Sequence, residues 1–549
     1  MTAGIHEVFR GSKFFSNAGV GKINKNLSIA YQQFLIHGRD KMMTAMRILF
    51  LVCLFLGGVS CDRPIDGADN GLVPDFVDDG HEPPVNPFLA DSPWPMSHRN
   101  PYCQASSPYA GPVNKMDRRC GDYLPGMPGL ITLALSGIYA DGSRVIWGNN
   151  ITHVFKMDAN GTIISFIDMK LKEMNESADL VKRATSGAYT LVDRDNNFYV
   201  PDFKRILAYG DAIAGDPESE VEKKGEFQIP DEHLTKGDDR IVGLVITWDG
   251  MLAFAASSGL VGVVSRSFDK AFYLHLEDEE ISNSIACDEN GGIYVVTSKK
   301  MHRVQWTGSE LTLDASKGAW SAAYETGEAQ PGIRLGPGSG STPTLMGTGE
   351  NDAFVVITDG QDLMHIVLFW RNEIPEEWQG IPGAKDRRIA AQIPVTFGNP
   401  DAEVSLSEQS VCVRGYGALV VNNLMKTDLG SQMMNILASG LPGIAPRGAE
   451  KFEWDPVKKV LQSVWANREI CLPNGIPAMS VASGLVYDVG YRFPFWTMEA
   501  LDWNTGESVF YGILGPTPIF NSAYAATEIG LDGFLFSGTA LGMVRVGDY

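Results

Sequence analysis

Five short polar clusters hold the residues of this chain best suited to chemistry: Asn283-Ser284, Ser341-Thr342, Glu408-Gln409-Ser410, Asn474-Gly475 and Asn521-Ser522. Each stands just ahead of a short apolar run, so one position recurs from segment to segment. Amide and hydroxyl oxygens with a carboxylate are hard donors. Gathered in one small volume, they would take Ca²⁺ or orient a polar ligand. Taken singly, Asn or Ser at a strand start satisfies turn backbone and does nothing more. The elements that carry the clusters decide between these readings.

Those elements repeat. A polar residue, an apolar run, a turn of Asp, Asn or Gly and a second β-rich run return about eight times, at a period of roughly 40 to 50 residues. The clearest copy runs from Asn283 through Asp288-Glu289-Asn290-Gly291-Gly292 to Ile293-Tyr294-Val295-Val296. Others pass through Asp249-Gly250 and Asp532-Gly533. Short β-rich runs joined by tight turns at this spacing predict an all-β propeller of seven or eight four-stranded blades. The blades start near Gly129, Ser186, Gly243, Asn283, Ser341, Gln409, Asn474 and Asn521, which favours eight. Insertions fall at 210–239, read as a charged solvated loop, at 370–403, and at 426–450, where Met433–Ala438 suits a short helix over one face. In a propeller the innermost strands meet on an axis. The expected ligand ring is therefore Asn283, Ser341, Glu408, Asn474 and Asn521, with Asn283, Glu408 and Asn474 as possible calcium ligands.

Other chemistry has weaker signals. A metal-assisted hydrolase would use Glu408 or Asp288 as general base, although Asp288 reads better as a turn residue. No G-x-S-x-G elbow appears. His153, His275, His302 and His365 each sit alone in strand patterns, the usual setting of a packed histidine. The Gly-rich run 336–342 lacks the Lys of a phosphate loop. Tyr491-Arg492-Phe493-Pro494-Phe495-Trp496 reads as packing between blades, with docking of a partner as the alternative.

The formal charge is −21. Without Met1–Ser60, 38 basic residues face 64 acidic ones, a net −26. Such a surface repels nucleic acid and anionic lipid. Lys41 to Arg47 leads into an apolar run at 48–56 and then Gly57-Gly58-Val59-Ser60-Cys61, the order of an export signal. Residues before Lys41 lack signal character, so translation is expected to start at Met42, Met43 or Met46. The expected organisation is an export signal at 1–60, an acidic flexible tether at 61–92 and a propeller at 93–549. Export permits disulfides. Cys103 and Cys120 share one loop-rich segment and are expected to pair, while Cys287 and Cys412 read as buried thiols.

Two resemblances sharpen this picture. Val59-Ser60-Cys61 resembles the lipobox of bacterial lipoproteins, with Gly58 where Leu is usual, which implies acylation of Cys61 and a periplasmic, membrane-anchored protein. Ordinary cleavage after Ser60, giving a soluble exported chain, is the alternative. The opening Trp94-Pro95-Met96, Asn100-Pro101 and Ser107-Pro108-Tyr109, together with the hairpin Ala500-Leu501-Asp502-Trp503-Asn504-Thr505-Gly506-Glu507, resembles the quinoprotein-like propeller superfamily. Phe155 to Thr162 is a weaker copy. PQQ dehydrogenases of that group carry adjacent cysteines and a Trp in most repeats. This chain has neither, so PQQ is not expected. Calcium-dependent lactonase propellers use a Glu and Asn/Asp ring on the axis, which implies calcium at Glu408 if this chain is similar. The lipoprotein propeller that assists outer-membrane protein assembly implies the other class. The expected function is thus a binding or scaffold module of the cell envelope, its partner an envelope protein or small ligand. A calcium-assisted hydrolase, or a degenerate oxidoreductase with an axial site, is the alternative.

Overall fold

The computed structural model describes residues 76–114, 117–120, 132–169, 186–327 and 338–547, with 238, 350–351, 428, 430–434, 437, 442, 531 and 541 excepted. The export signal, Cys61 and the first part of the tether lie outside the described residues. Among the described residues no helix is long and apolar enough to cross a membrane.

The repeat builds eight blades. Their innermost strands are Thr132–Leu135, Leu191–Val192, Ile241–Ile246, Ala286–Cys287, Thr344–Met346, Cys412–Arg414, Ala478–Ser480 and Thr527–Ile529. Blades 1 to 7 each run outward through consecutive antiparallel strands. Blade 8 takes its outermost strand from the other end of the chain. Asp117–Cys120 pairs antiparallel with Gly542–Gly547, in the register Asp117↔Gly547, so the ring is closed by hydrogen bonds between distant sequence. This clasp is absent from the repeat pattern because it joins the two ends of the fold.

Each turn works as its residues require. In the Ala500–Glu507 hairpin the Asp502 carboxylate accepts from the N–H groups of Asn504 and Thr505 at 2.9 and 2.8 Å, and Gly506 takes φ 73°. Large aromatics fill the wedges between blades. Trp147 of blade 1 stacks on Phe198 of blade 2 at 5.8 Å, and Phe354 of blade 5 meets Trp454 of blade 6 edge-on at 4.7 Å. The charged insertion after Gly210 is not a free loop. Its Val221–Gln228 portion is the outermost strand of blade 2, charged because one side of an outermost strand faces water.

Residues 76–92, expected as part of a flexible tether, are docked instead. Arg414 is ion-paired with both Asp79 and Glu82, and Glu82 also pairs with Arg99 at 2.6 Å. Phe88 lies under the guanidinium groups of Arg194 and Arg266, at 4.9 and 5.2 Å. An acidic composition rich in Pro, Gly and Asp reads as loose, but the acids and aromatics of this stretch have specific partners on the ring.

Candidate functional site

The inner edge of each innermost strand presents unpaired N–H and C=O groups to the axis, and such groups need partners when buried. The chain supplies them itself. Six N–H groups, one per blade, donate to carbonyls of the segment from Trp94 to Ala105. Leu135 donates to Trp94 and Val192 to Pro95, both at 2.8 Å. Cys287 donates to Pro101 at 2.8 Å, and Leu345 to Tyr102 at 2.9 Å. Val413 donates to Gln104 and Met479 to Ala105, both at 2.9 Å. The segment thus visits blades 1, 2, 4, 5, 6 and 7, then runs parallel to the inner strand of blade 7 at Ser106–Ser107. Arg99, Cys103 and Ala105 hold φ of 70°, 59° and 52° to make these contacts. Left-handed backbone at three non-glycine residues persists only where surrounding structure dictates it.

Further along the axis the His98 ring sits against Tyr189 at 5.6 Å, its Nε2 3.3 Å from Ser410 Oγ. Burial pulls the His98 imidazole down to about 4, so it is neutral. Beyond it lie Glu408, which is buried, and Tyr524, whose phenol is pushed up first by burial and then by the Glu408 charge. Glu408 packs over Gly340, where any Cβ would strike its carboxyl group.

The five ring residues do come to the inner ends of the blades, but they tie structure together. The Asn283 amide donates to Ser339 O at 2.6 Å. Ser341 Oγ accepts from Thr358 N at 3.0 Å. Glu408 N donates to Asn423 Oδ1 at 2.7 Å. The amide of Asn474 donates to Ser439 Oγ at 2.9 Å, and that of Asn521 to Ile436 O at 2.7 Å. The 426–450 insertion therefore sits over blades 7 and 8, and Ile436 and Ser439 bond the ring directly. Calcium needs oxygens. Here Asn283, Asn474 and Asn521 point amide nitrogens at their partners. The oxygens of Asn474 and Asn521 accept from Ser522 Oγ and Ala523 N, at 3.2 and 2.9 Å. With their oxygens so engaged, Asn474 and Asn521 are structural ties. Among the described residues no group of three or more His, Cys, Asp or Glu forms a metal site.

Cys103 is a free buried thiol beside Ile285 O at 3.4 Å, so the expected bridge to Cys120 is not formed. The segment carrying Cys103 follows the axis, whereas Cys120 belongs to the outermost strand of blade 8. Cys287 and Cys412 are buried thiols, as expected, with burial pushing both up. Asp288 is the turn residue expected, accepting from Asn290 N and Gly292 N at 2.9 and 2.7 Å. His365 contacts Asp359 at 3.2 Å, and His153 contacts Thr152 at 2.8 Å. His302 is not alone: one ring nitrogen meets Glu279 and the other Ser321. These partners come from different segments, so no local motif announces them.

No protein-family profile matches this chain. A protein of Archaeoglobus fulgidus, described only as uncharacterized, is 48% identical over 479 residues, covering 85% of this chain and 89% of the relative. This chain belongs to the same family as that archaeal protein. Among solved structures, the quinohemoprotein alcohol dehydrogenase of Comamonas testosteroni is similar at 11% identity and a TM-score of 0.49, covering 84% of this chain and 81% of its own. BamB of Moraxella catarrhalis is similar at 9% identity and 0.38, covering 67% and 98%.

Proposed function

We propose that this chain is an exported, lipid-anchored propeller that acts as a binding or scaffold module of the cell envelope. The observation that carries the reading is the filled axis. Propellers commonly admit small ligands where the inner strands converge, but here six inner strands are hydrogen-bonded to the Trp94–Ala105 stretch. This supports recognition on the outside of the ring over the axial hydrolase and oxidoreductase alternatives.

Blade 7 offers a surface for it. On its outermost strand Val509, Tyr511 and Ile513 are about half exposed, all on one face. Ile513 pairs with Thr497, so Phe495, two residues away on that same face, extends the row. Phe493, at the tip of the hairpin, is 70% exposed. Arg492 lies 4.2 Å above the Tyr511 ring and is held by Glu499 at 2.7 Å, adding a positive, aromatic edge. Contiguous exposed apolar surface with Arg and Tyr suits protein contact better than free solvent.

A photo-crosslinking residue at position 511, with one at 457 on blade 6 as the exposed control, tests this in producing cells. A discrete adduct from 511 that is missing from 457 is expected. Identical patterns from the two positions, or none from 511, would refute the docking surface. Metabolic labelling with a radioactive fatty acid, lost in Cys61→Ala, checks the anchor separately.

A further inference from the structure

We propose that Ser321, His302 and Glu279 form a nucleophile, base and carboxylate relay for acyl transfer at the outer part of blade 4. This goes beyond the binding role and lies away from the axis.

The relay is built on rigid strands. Lys300–Trp306 and Trp320–Ala323 pair antiparallel, with His302 directly opposite Ser321. Opposed residues share a face, and Ser321 Oγ lies 2.7 Å from His302 Nδ1. The other ring nitrogen, Nε2, lies 2.8 Å from Glu279 Oε2, and Thr297 holds that same oxygen through its hydroxyl. Burial is graded in the order such a relay needs: Glu279 and His302 are buried, while Ser321 is exposed.

The carboxylate sets the tautomer. Burial tends to raise the Glu279 carboxyl, but hydrogen bonds from His302 and Thr297, then the charges that His302 carries when protonated and that Lys300 carries, outweigh it and hold the group below its ordinary value. An ionised carboxylate only accepts, so Nε2 of a neutral His302 must carry the hydrogen. Nδ1 then presents its lone pair to the Ser321 hydroxyl, which donates to it. A hydroxyl activated this way is a general-base-assisted nucleophile. The two imidazole nitrogens exchange their usual roles, with the carboxylate on Nε2 and the serine on Nδ1.

The chemistry fits carboxylic esters. Ser321 Oγ bonds to the carbonyl carbon as its proton passes to His302 Nδ1. The C–O bond to the alcohol then breaks, and the leaving alkoxide takes that proton. Water, deprotonated by His302, attacks the acyl-serine and releases the acid, and the proton returns to Ser321 Oγ. Ester and water become acid and alcohol, with no other reactant. Lys300, exposed and on the same face two residues before His302, supplies positive charge for the oxyanion.

The test is covalent labelling of the purified exported chain, residues 62–549, with a fluorophosphonate probe, followed by peptide mass mapping. One adduct at Ser321 is expected, absent from Ser321→Ala. In His302→Gln the labelling rate should fall on the order of 100-fold. Glu279 is a positioning residue: Glu279→Gln should slow labelling while Glu279→Asp restores part of the rate, with all variants compared at equal thermal stability. Ser321→Ala changes an exposed side chain, so the fold survives it. Folded wild type that labels no faster at residue 321 than at any other serine would overturn the proposal. So would equal hydrolysis of p-nitrophenyl acetate by wild type and Ser321→Ala. Neither result would bear on the blade 7 docking surface.

Discussion

Replacing Asp211 by Asn should loosen the ring where blade 1 meets blade 2. Lys156 Nζ lies 2.8 Å from Asp211 Oδ1, and the two side chains are 0% and 5% exposed. Tyr139 donates its hydroxyl to the other Asp211 oxygen at 3.0 Å, and the ammonium also sits 5.7 Å from the Trp147 ring. At an effective dielectric of about 20 the attraction between the charges is roughly 6 kcal/mol, before both desolvation costs are set against it. The pair as a whole is therefore near neutral compared with apolar residues of like volume. Removing one partner is different, because a buried charge remains without its counterion, at a cost of about 3–5 kcal/mol. Asp211→Asn and Lys156→Met should each lose that much, while the Lys156→Met/Asp211→Leu double variant should recover most of it. In thermal unfolding each single variant should melt lower by several degrees, at roughly 2 °C per kcal/mol for a large domain. The loss should barely respond to salt, since buried pairs are poorly screened. Singles that cost under about 1 kcal/mol, or a double variant showing their full sum, would refute the reasoning.

Two more outcomes follow from buried acids and close packing. Burial pushes the Asp488 and Glu528 carboxyls well above their ordinary range, so the folded chain keeps protons that the unfolded chain releases above about pH 4. Their contribution to stability is full below the unfolded pKa and is lost as pH climbs toward the folded value. Wild type should therefore lose stability relative to an Asp488→Asn/Glu528→Gln variant between pH 4 and 8, and a difference that is flat across that range would contradict this. Gly340→Ala should destabilise by about 1–3 kcal/mol, because its methyl would overlap the Glu408 carboxyl and force that buried group to shift. Chemical denaturation of the variant checks it, and an unchanged midpoint would show that Glu408 can move aside.

Much of the architecture was legible in local chemistry. Asp and Gly turns between apolar runs announce hairpins, since an Asx turn and a positive φ act within a few residues. All eight innermost strands begin close to the residues picked as blade starts. Asp288 could be assigned to its turn for the same reason. The short helix expected at Met433–Ala438 falls partly outside the described residues, and what the structure shows of that insertion is the bonding of Ile436 and Ser439 to Asn521 and Asn474. Other features escaped because their partners are remote in sequence. Asp79 and Glu82 look like any acidic linker until Arg414 is brought opposite them. His302 looks solitary because Glu279 and Ser321 lie about 20 residues to either side, joined to it only by blade packing and strand pairing. The pairing of Cys103 with Cys120 rested on proximity in sequence, which ring closure overrides.

By itself, then, the sequence determined the repeat, the hairpin turns, the blade count to within one, and the placing of polar residues at the inner strand ends. These depend on interactions within about ten residues, where side-chain type and spacing suffice. The tertiary structure alone decided what fills the axis, how the two ends of the chain clasp in blade 8, and which polar residues are structural ties. It also brought Ser321, His302 and Glu279 together. Each of these depends on hydrogen bonds or ion pairs between groups far apart along the chain, which exist only once the ring has closed.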